Sequence, residues 1–407
     1  KYRIQVLDYG SDYSNAEEYE DALARFNNAL TSGSGPDIFD VNIVKGRGCS
    51  VWDDKGNEYL DLYGGHAVIS IGHAHPEYVE TISNQVATLG FYSNSVINTL
   101  QQRAAEKLGR ISGYEDYSLF FINSGAEANE NALKLASFTT GRERVLAMHG
   151  AFHGRTSLAV AISDNPAIQA PVNKTDKVSY IDLNDVEALQ RELAGQQYAA
   201  VIIEPIQGVG GIQVASDEFL KAAREECDAT GTMLIIDEIQ AGYGRSGKFF
   251  AHQWLGVKAD IITLAKGIAN GFPVGAVMVS PAIPAKKGML GTTFGGSHLA
   301  CAAAIAVADV VKAENLVENA RKMGEKIVEG IKGTSGIKEI RGSGLMIGVD
   351  LSVPQADFRR VLRERHHIMT GLSGQYTLRL LPPLVIGEKE VERFVEAFKL
   401  TAEEMGM

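Results

Sequence analysis

Six short apolar runs, at residues 118–122, 144–148, 199–204, 233–237, 260–264 and 274–279, recur between about residue 93 and residue 281, with amphipathic helical patterns between them. Runs this short and this apolar read as strands buried on both faces. Strands that alternate with helices fit a mostly parallel sheet with helices packed on either side, so the pattern predicts an α/β fold. The 43 glycines against 11 prolines suit the tight strand-to-helix turns that such a sheet needs. From residue 300 a long helical stretch leads to a glycine-spaced run at 340–349, read as one strand opening a smaller α+β region that runs to the C-terminus. Upstream, residues 49–61 read as a hairpin turning at 54–57. Residues 1–38 differ: a short strand at 2–7, a helical face of Ala22, Leu23, Phe26 and Leu30, then the linker-like 31–36.

At 407 residues the chain exceeds one typical domain, and 45% hydrophobic with 22% charged residues is ordinary for a soluble globular enzyme. A net charge of −11 disfavours nucleic acid and anionic membrane as partners. Cys49, Cys227 and Cys301 are scattered and odd in number, against a disulfide framework and in favour of a reducing, cytoplasmic setting. No run reaches the roughly 18 apolar residues of a membrane span, and no signal-peptide pattern opens the sequence.

Two of the apolar runs end in a charge. Residues 233–237 finish on Asp237, and Thr263-Leu264-Ala265-Lys266-Gly267 places a lysine just past the run at 260–264. Each alone is usually a solvated strand end or a helix cap. Together, with glycine-rich turns after both, they provide what pyridoxal phosphate (PLP) requires. The carboxylate keeps the pyridinium nitrogen protonated, and the lysine of lowered basicity carries the aldehyde. The turn Asn123-Ser124-Gly125-Ala126-Glu127 opens a helix and suits a phosphate; its competing reading is a plain capping box of Ser124 with Glu127. Phe152-His153-Gly154-Arg155 offers a ring for stacking and a guanidinium for a carboxylate. Glu204 ends another run, and Arg379 sits inside an apolar strand, where its charge must find an anion. Two patterns carry less weight. Gly242 to Gly247 spells G-x-G-x-x-G, the basis of a dinucleotide-binding alternative, but does not open from a strand into a helix. His66, His73 and His75 lack metal-ligand spacing, so no metal is expected.

Taken together these residues resemble the class III aminotransferases, PLP-dependent enzymes of the aspartate-aminotransferase fold type. Within that class the likeness is greatest to the branch acting on acetylornithine and succinylornithine. The resemblance runs from about residue 39 to the C-terminus and rests on residues 123–129, 152–155, 204–207, 237–240, 264–267 and 292–297. It implies fold type I: a large domain at 93–299 with a mostly parallel seven-stranded sheet, and a small α+β domain from 39–92 and 300–407. Residues 1–38 carry none of its motifs and are assigned no role. By this likeness Lys266 is the Schiff-base lysine and proton shuttle, and Asp237 pairs with the pyridine nitrogen. Gln240 lies near the ring hydroxyl, Phe152 stacks on the ring, and His153 belongs to the cofactor pocket. Ser124, Gly125 and Ala126 hold phosphate, with Thr293 reaching in from the partner subunit of a homodimer. Ala126 stands where many relatives carry Thr or Ser, so that hydroxyl contact is missing. Arg155 and Thr292 contact the acyl-ornithine, Arg379 takes a substrate α-carboxylate, and Glu204 masks Arg379 in one half-reaction. The implied activity moves the δ-amino group of N-acetyl- or N-succinylornithine to 2-oxoglutarate, in arginine biosynthesis. Ornithine δ-, 4-aminobutyrate and other ω-amino acid aminotransferases are the alternatives.

Overall fold

The apolar runs become the central strands of a sheet in a computed structural model, which describes residues 41–284 and 286–407. Residues 1–38 therefore lie outside the described residues. Ile43–Met407 forms one compact unit. In chain order the strands are β1 (Ile43–Arg47), β2 (Ser50–Asp53), β3 (Glu58–Leu62), β4 (Ser118–Ile122), β5 (Arg144–Met148), β6 (Val178–Ile181) and β7 (Tyr198–Ile203). They continue as β8 (Ile206–Gln207), β9 (Gln213–Val214), β10 (Met233–Asp237), β11 (Ile261–Leu264) and β12 (Gly275–Val279). The last four are β13 (Ile337–Ser343), β14 (Met346–Leu351), β15 (Ile368–Ser373) and β16 (Thr377–Leu380).

The large sheet has seven strands in the order β4-β12-β11-β10-β7-β5-β6. It is the expected mostly parallel sheet, with β12 alone antiparallel to both its neighbours. Every residue of β7 is buried, as a strand covered on both faces must be. Its side chains alternate between two cores: Val201 and Ile203 join one, Ala200 and Ile202 the other. Helix Gly125–Thr140 adds Ala128, Ala132, Leu133 and Ala136 to the second core, while Asp217–Thr230 adds Phe219, Leu220, Ala223 and Cys227 to the first. Strand β6, at the edge and only half-buried, has no counterpart among the six apolar runs.

The second seven-stranded sheet runs β1-β2-β3-β15-β16-β14-β13, joining residues near both ends of the described chain. The hairpin expected at 49–61 is β2 paired antiparallel with β3. The run 340–349 is two strands rather than one: β13 and β14 pair antiparallel across a turn at Gly344, whose φ is +55°. Among the described residues, no helix is long and apolar enough to cross a membrane.

Candidate active site

Parallel strands deliver their carboxyl ends to one edge of the sheet, and a crevice forms there. Asp237 is the last residue of β10 and lies in register with Thr263 of β11, three positions before Lys266. Glu204 follows β7, residues 152–155 follow β5, and Gly125 opens the helix after β4. A cavity of about 300 Å³ is lined by Gly125, Ala126, Phe152, His153, Arg155, Glu204, Asp237, Gln240 and Lys266, with Val209 and Ile239 among the others. Nine of the thirteen positions proposed from sequence thus share one wall.

Lys266 begins a short 3-10 turn in the left-handed region, φ +49°, a conformation that costs a non-glycine residue free energy. Burial pushes its ammonium down to about 8, against the pull of Asp237 and Glu204; Arg379 and Arg245 add to the lowering. Its neutral fraction near neutral pH is therefore far larger than that of an ordinary lysine, which favours a nucleophilic amine. Asp237 is saturated on its protein side. Its Oδ2 accepts from Asn129 Nδ2 at 2.9 Å and His153 Nδ1 at 2.7 Å, and its Oδ1 accepts from the Ile239 N–H at 3.0 Å. Burial disfavours charge on His153, but the hydrogen bond and negative charge of Asp237 outweigh it and hold the ring above its ordinary pKa. His153 thus acts on Asp237, fixing the carboxylate's orientation. Asn129 was not singled out from sequence, although a signal existed: its spacing puts a polar amide on the same helical stripe as Ala132 and Leu133, and in the structure it is fully buried.

At the start of helix Gly125–Thr140 the N-cap is present but the capping box is not: Ser124 Oγ accepts from the Glu127 N–H, whereas Glu127 Oε2 accepts from the N–H of Asn123 rather than of Ser124. The N–H groups of Gly125 and Ala126 have no acceptor among the described residues, and both residues line the cavity. Gly154 closes over them: a Cβ there would lie 2.7 Å from that of Ala126, and its φ is +133°.

Arg379 does not line this cavity. It is buried, donates from Nη1 to the Gly208 carbonyl at 2.8 Å, and its Nε has no partner. The expected direct pairing with Glu204 is not present. Glu204 Oε1 and Oε2 accept instead from the Phe152 and Gly208 N–H groups, at 2.9 and 3.0 Å, so the two side chains grip opposite ends of Gly208. Burial, reinforced by the Asp237 charge, raises the Glu204 pKa, while His153 and these N–H groups oppose it. Arg155 is exposed at the cavity wall, its guanidinium carbon 5.9 Å from the Phe152 ring centre, and has no carboxylate partner among the described residues. Thr292 borders a different cavity, of about 330 Å³, with Asn94, Gln101 and Phe120. Neither it nor Thr293 lines the cavity of the Lys266 in its own chain.

The patterns given less weight resolve into packing. Arg245 donates to the carbonyls of Leu345, Pro382 and Ile69, and the Gly242 to Gly247 loop leads to a 3-10 turn rather than an α-helix. His73 pairs with Asp61 at 2.7 Å and His75 with Glu314 at 2.9 Å. Among the described residues no three His, Cys, Asp or Glu side chains cluster as metal ligands.

The residues present fit PLP on structural grounds. The cavity joins a lysine of lowered basicity, an oriented carboxylate, unpaired N–H groups at a helix start, and a buried Gln240 Oε1 without a partner. The family model "Aminotransferase class-III" matches residues 31–401. Acetylornithine aminotransferase of Methanosarcina mazei is 39% identical over 361 residues, 88% of this chain and 90% of that protein. Its counterpart from Corynebacterium efficiens is 38% identical, with 96% and 99% covered. Among solved structures, acetylornithine aminotransferase from Elizabethkingia anophelis superposes with a TM-score of 0.82 at 31% identity, covering 96% of this chain and 100% of that one. Ornithine aminotransferase from Toxoplasma gondii ME49 gives 0.86 at 30% identity, with 97% and 99% covered.

Proposed function

The chain belongs to the class III aminotransferases, which are PLP-dependent, and from that premise we propose that it transfers the δ-amino group of N-acetyl- or N-succinylornithine to 2-oxoglutarate. The products are N-acylglutamate 5-semialdehyde and glutamate, and the step belongs to arginine biosynthesis. One observation carries the reading: a half-buried lysine with its pKa near 8 shares with an oriented aspartate a cavity whose wall also bears Arg155, which has no carboxylate partner among the described residues.

When bound, PLP supplies an electrophilic aldehyde and an electron sink for carbanion chemistry. The protein's own groups do the rest. Lys266 Nζ is the amine that would hold the aldehyde and, once displaced from it by the amino group of the substrate, would carry the proton between substrate atoms. Asp237, held by Asn129, His153 and the Ile239 N–H, would present its carboxylate to the pyridine nitrogen. The N–H groups of Gly125 and Ala126 bind phosphate at the positive end of their helix. Phe152 would cover the ring, and the unpaired Gln240 oxygen would accept from the ring hydroxyl. Arg155 receives a carboxylate of the acyl-ornithine, and Arg379, released from the Gly208 carbonyl, receives an α-carboxylate.

The working unit in this reading is a cytoplasmic homodimer in which Thr292 and Thr293 of one copy serve the site of the other. Three free, buried cysteines support the compartment. An exposed apolar group of Phe91, Tyr92, Val96 and Ile97 beside Phe294 supports the dimer. The two sheets support a division into a small domain (39–92 and 300–407) and a large one (93–299).

The test is an absorbance spectrum of the purified protein, followed by titration with N-acetylornithine, N-succinylornithine, ornithine and 4-aminobutyrate. Bleaching of a visible band by an acyl-ornithine at the highest rate supports the reading, whereas preference for free ornithine overturns it. Lys266→Ala should lose both the band and turnover. Arg155→Ala should raise KM for the acyl-ornithine by tenfold or more, the scale of a lost charge-assisted hydrogen bond. An unchanged KM removes Arg155 from the substrate site.

A further inference from the structure

The loop that follows β8, Gly208-Val209-Gly210-Gly211, has three of its four carbonyls held by side chains of the second sheet. Arg379 of β16 donates from Nη1 to the Gly208 carbonyl at 2.8 Å. Ser373 of β15 donates from Oγ to the Val209 carbonyl at 2.6 Å. Arg341 of β13 donates from Nε to the Gly211 carbonyl at 2.8 Å. Strand pairing sets these donors side by side. Arg341 pairs with Gly348 of β14 and Gly348 with Arg379, while Ser373 pairs with Thr377, two residues before Arg379.

Close packing seats the loop on both sides. A Cβ on Gly348 would lie 3.0 Å from that of Ile212 and 3.2 Å from the Gly211 carbonyl oxygen. Toward the cavity, a Cβ on Gly208 would overlap Oε1 of Gln240. Arg341 is itself fixed, because its Nη1 and Nη2 donate to the Asp350 carboxylate at 2.7 and 3.0 Å. The three bonds differ in one respect. Arg379 keeps an Nε without a partner, and in the transaminase reading it leaves Gly208 to meet an α-carboxylate. A loop held by Arg379 alone would follow the guanidinium and carry Val209, a residue of the cavity wall, into the substrate's space.

We propose that Ser373 and Arg341 are positioning residues that keep the 208–211 loop on the second sheet while Arg379 releases it. The guanidinium then moves without the loop, and the wall at Val209 keeps its shape. The Gly208 carbonyl stays in place to take Arg379 back once the carboxylate has gone. The proposal rests on the transaminase reading and deepens it, because it assigns the two outer bonds to the 2-oxoglutarate half-reaction.

Ser373→Ala removes one bond, and Ser373→Thr keeps the hydroxyl. Arg341→Lys leaves a cation for Asp350, but an ammonium lacks the fork that serves Gly211 and both carboxylate oxygens together. On PLP-loaded enzyme, Ser373→Ala is expected to raise KM for 2-oxoglutarate about threefold, and its combination with Arg341→Lys about tenfold or more. In both proteins kcat, and KM for the acyl-ornithine whose carboxylate goes to Arg155, are expected to stay within about twofold. Ser373→Thr is expected to match the parent. Amide hydrogen exchange over residues 206–214 is expected to quicken as each bond is lost. An unchanged KM for 2-oxoglutarate in the double variant overturns the proposal even if exchange quickens, because the bonds then serve structure alone. An equal rise in both KM values also overturns it, as the mark of a generally distorted cavity. A parent enzyme that transaminates no acyl-ornithine defeats the underlying functional reading instead, a result visible before any variant is made.

Discussion

Lys266 is a half-buried cation, and its desolvation makes a prediction about the cofactor-free chain. Its folded-state pKa is about 8 against an ordinary 10.5. Below about pH 8 the folded and unfolded chains both hold the proton, and the folded one bears the whole desolvation cost. Between about 8 and 10.5 the unfolded chain binds more protons, so stability rises with pH, and above 10.5 the cost is gone. The difference amounts to roughly 3 kcal/mol. Urea unfolding of the apo protein and of Lys266→Met should therefore diverge most at pH 7, with the Met variant the more stable, and converge by about pH 10.5. A gap independent of pH would mean that Lys266 does not titrate in the interior. Lys266 and Asp237 were legible in the sequence because each is a charge where an apolar run ends. The left-handed turn from Gly64 to Ala67 was not legible, because Gly64 looks like any flexible glycine until the Leu381 carbonyl is seen 2.7 Å from where its Cβ would lie.

At the scale of elements, the strands buried on both faces were the most readable: β4, β5 and β10 occupy the residues that their apolar runs marked. Strand β6 escaped because it lies at an edge, and its half-buried Val178-Ser179-Tyr180-Ile181 need not be uniformly apolar. The antiparallel sense of β12 also had no signal, since a fully buried strand looks alike in either direction. That strand matters to the site. Gly275 pairs with Ile122, and a Cβ on it would lie 2.3 Å from the Ser124 carbonyl oxygen and 2.8 Å from its carbon. Both contacts are backbone, so the β4-to-helix turn that presents Gly125 and Ala126 would have to move. Gly275→Ala should cost roughly 1–3 kcal/mol, as overpacking does, and should lose PLP more readily on dialysis. Gly195→Ala, where the nearest atom lies at an ordinary 3.6 Å, should stay within about 0.5 kcal/mol of the parent. Thermal unfolding and retained cofactor absorbance measure both. Equal behaviour of the two variants would show that the Ser124 turn yields without consequence.

At the scale of the molecule, the loop bearing Thr292 and Thr293 is physically tied to a segment with several exposed apolar side chains. Asn94 Nδ2 donates to the Thr292 and Gly295 carbonyls, each at 3.2 Å, and the Phe91 and Phe294 rings lie 5.5 Å apart. Ile97, 93% exposed, is on the same segment. Contiguous exposed apolar side chains mark an interaction surface, and a symmetric pair of chains buries the same patch twice. If a second copy covers this patch, it also covers the threonine loop, so assembly and PLP binding must fail together. Ile97→Asp places a charge where an apolar contact would be, at a desolvation cost that an unpaired carboxylate cannot recover. Its expected result is a monomer by light scattering at micromolar concentration, with weakened PLP retention and a rate that recovers as protein concentration rises. Val172→Asp alters another bare side chain, 84% exposed on a short 3-10 turn, and should leave mass and rate unchanged. A monomeric parent with full activity, or an Ile97→Asp protein that remains dimeric and active, would separate the threonine loop from catalysis and return Thr292 and Thr293 to a local structural role.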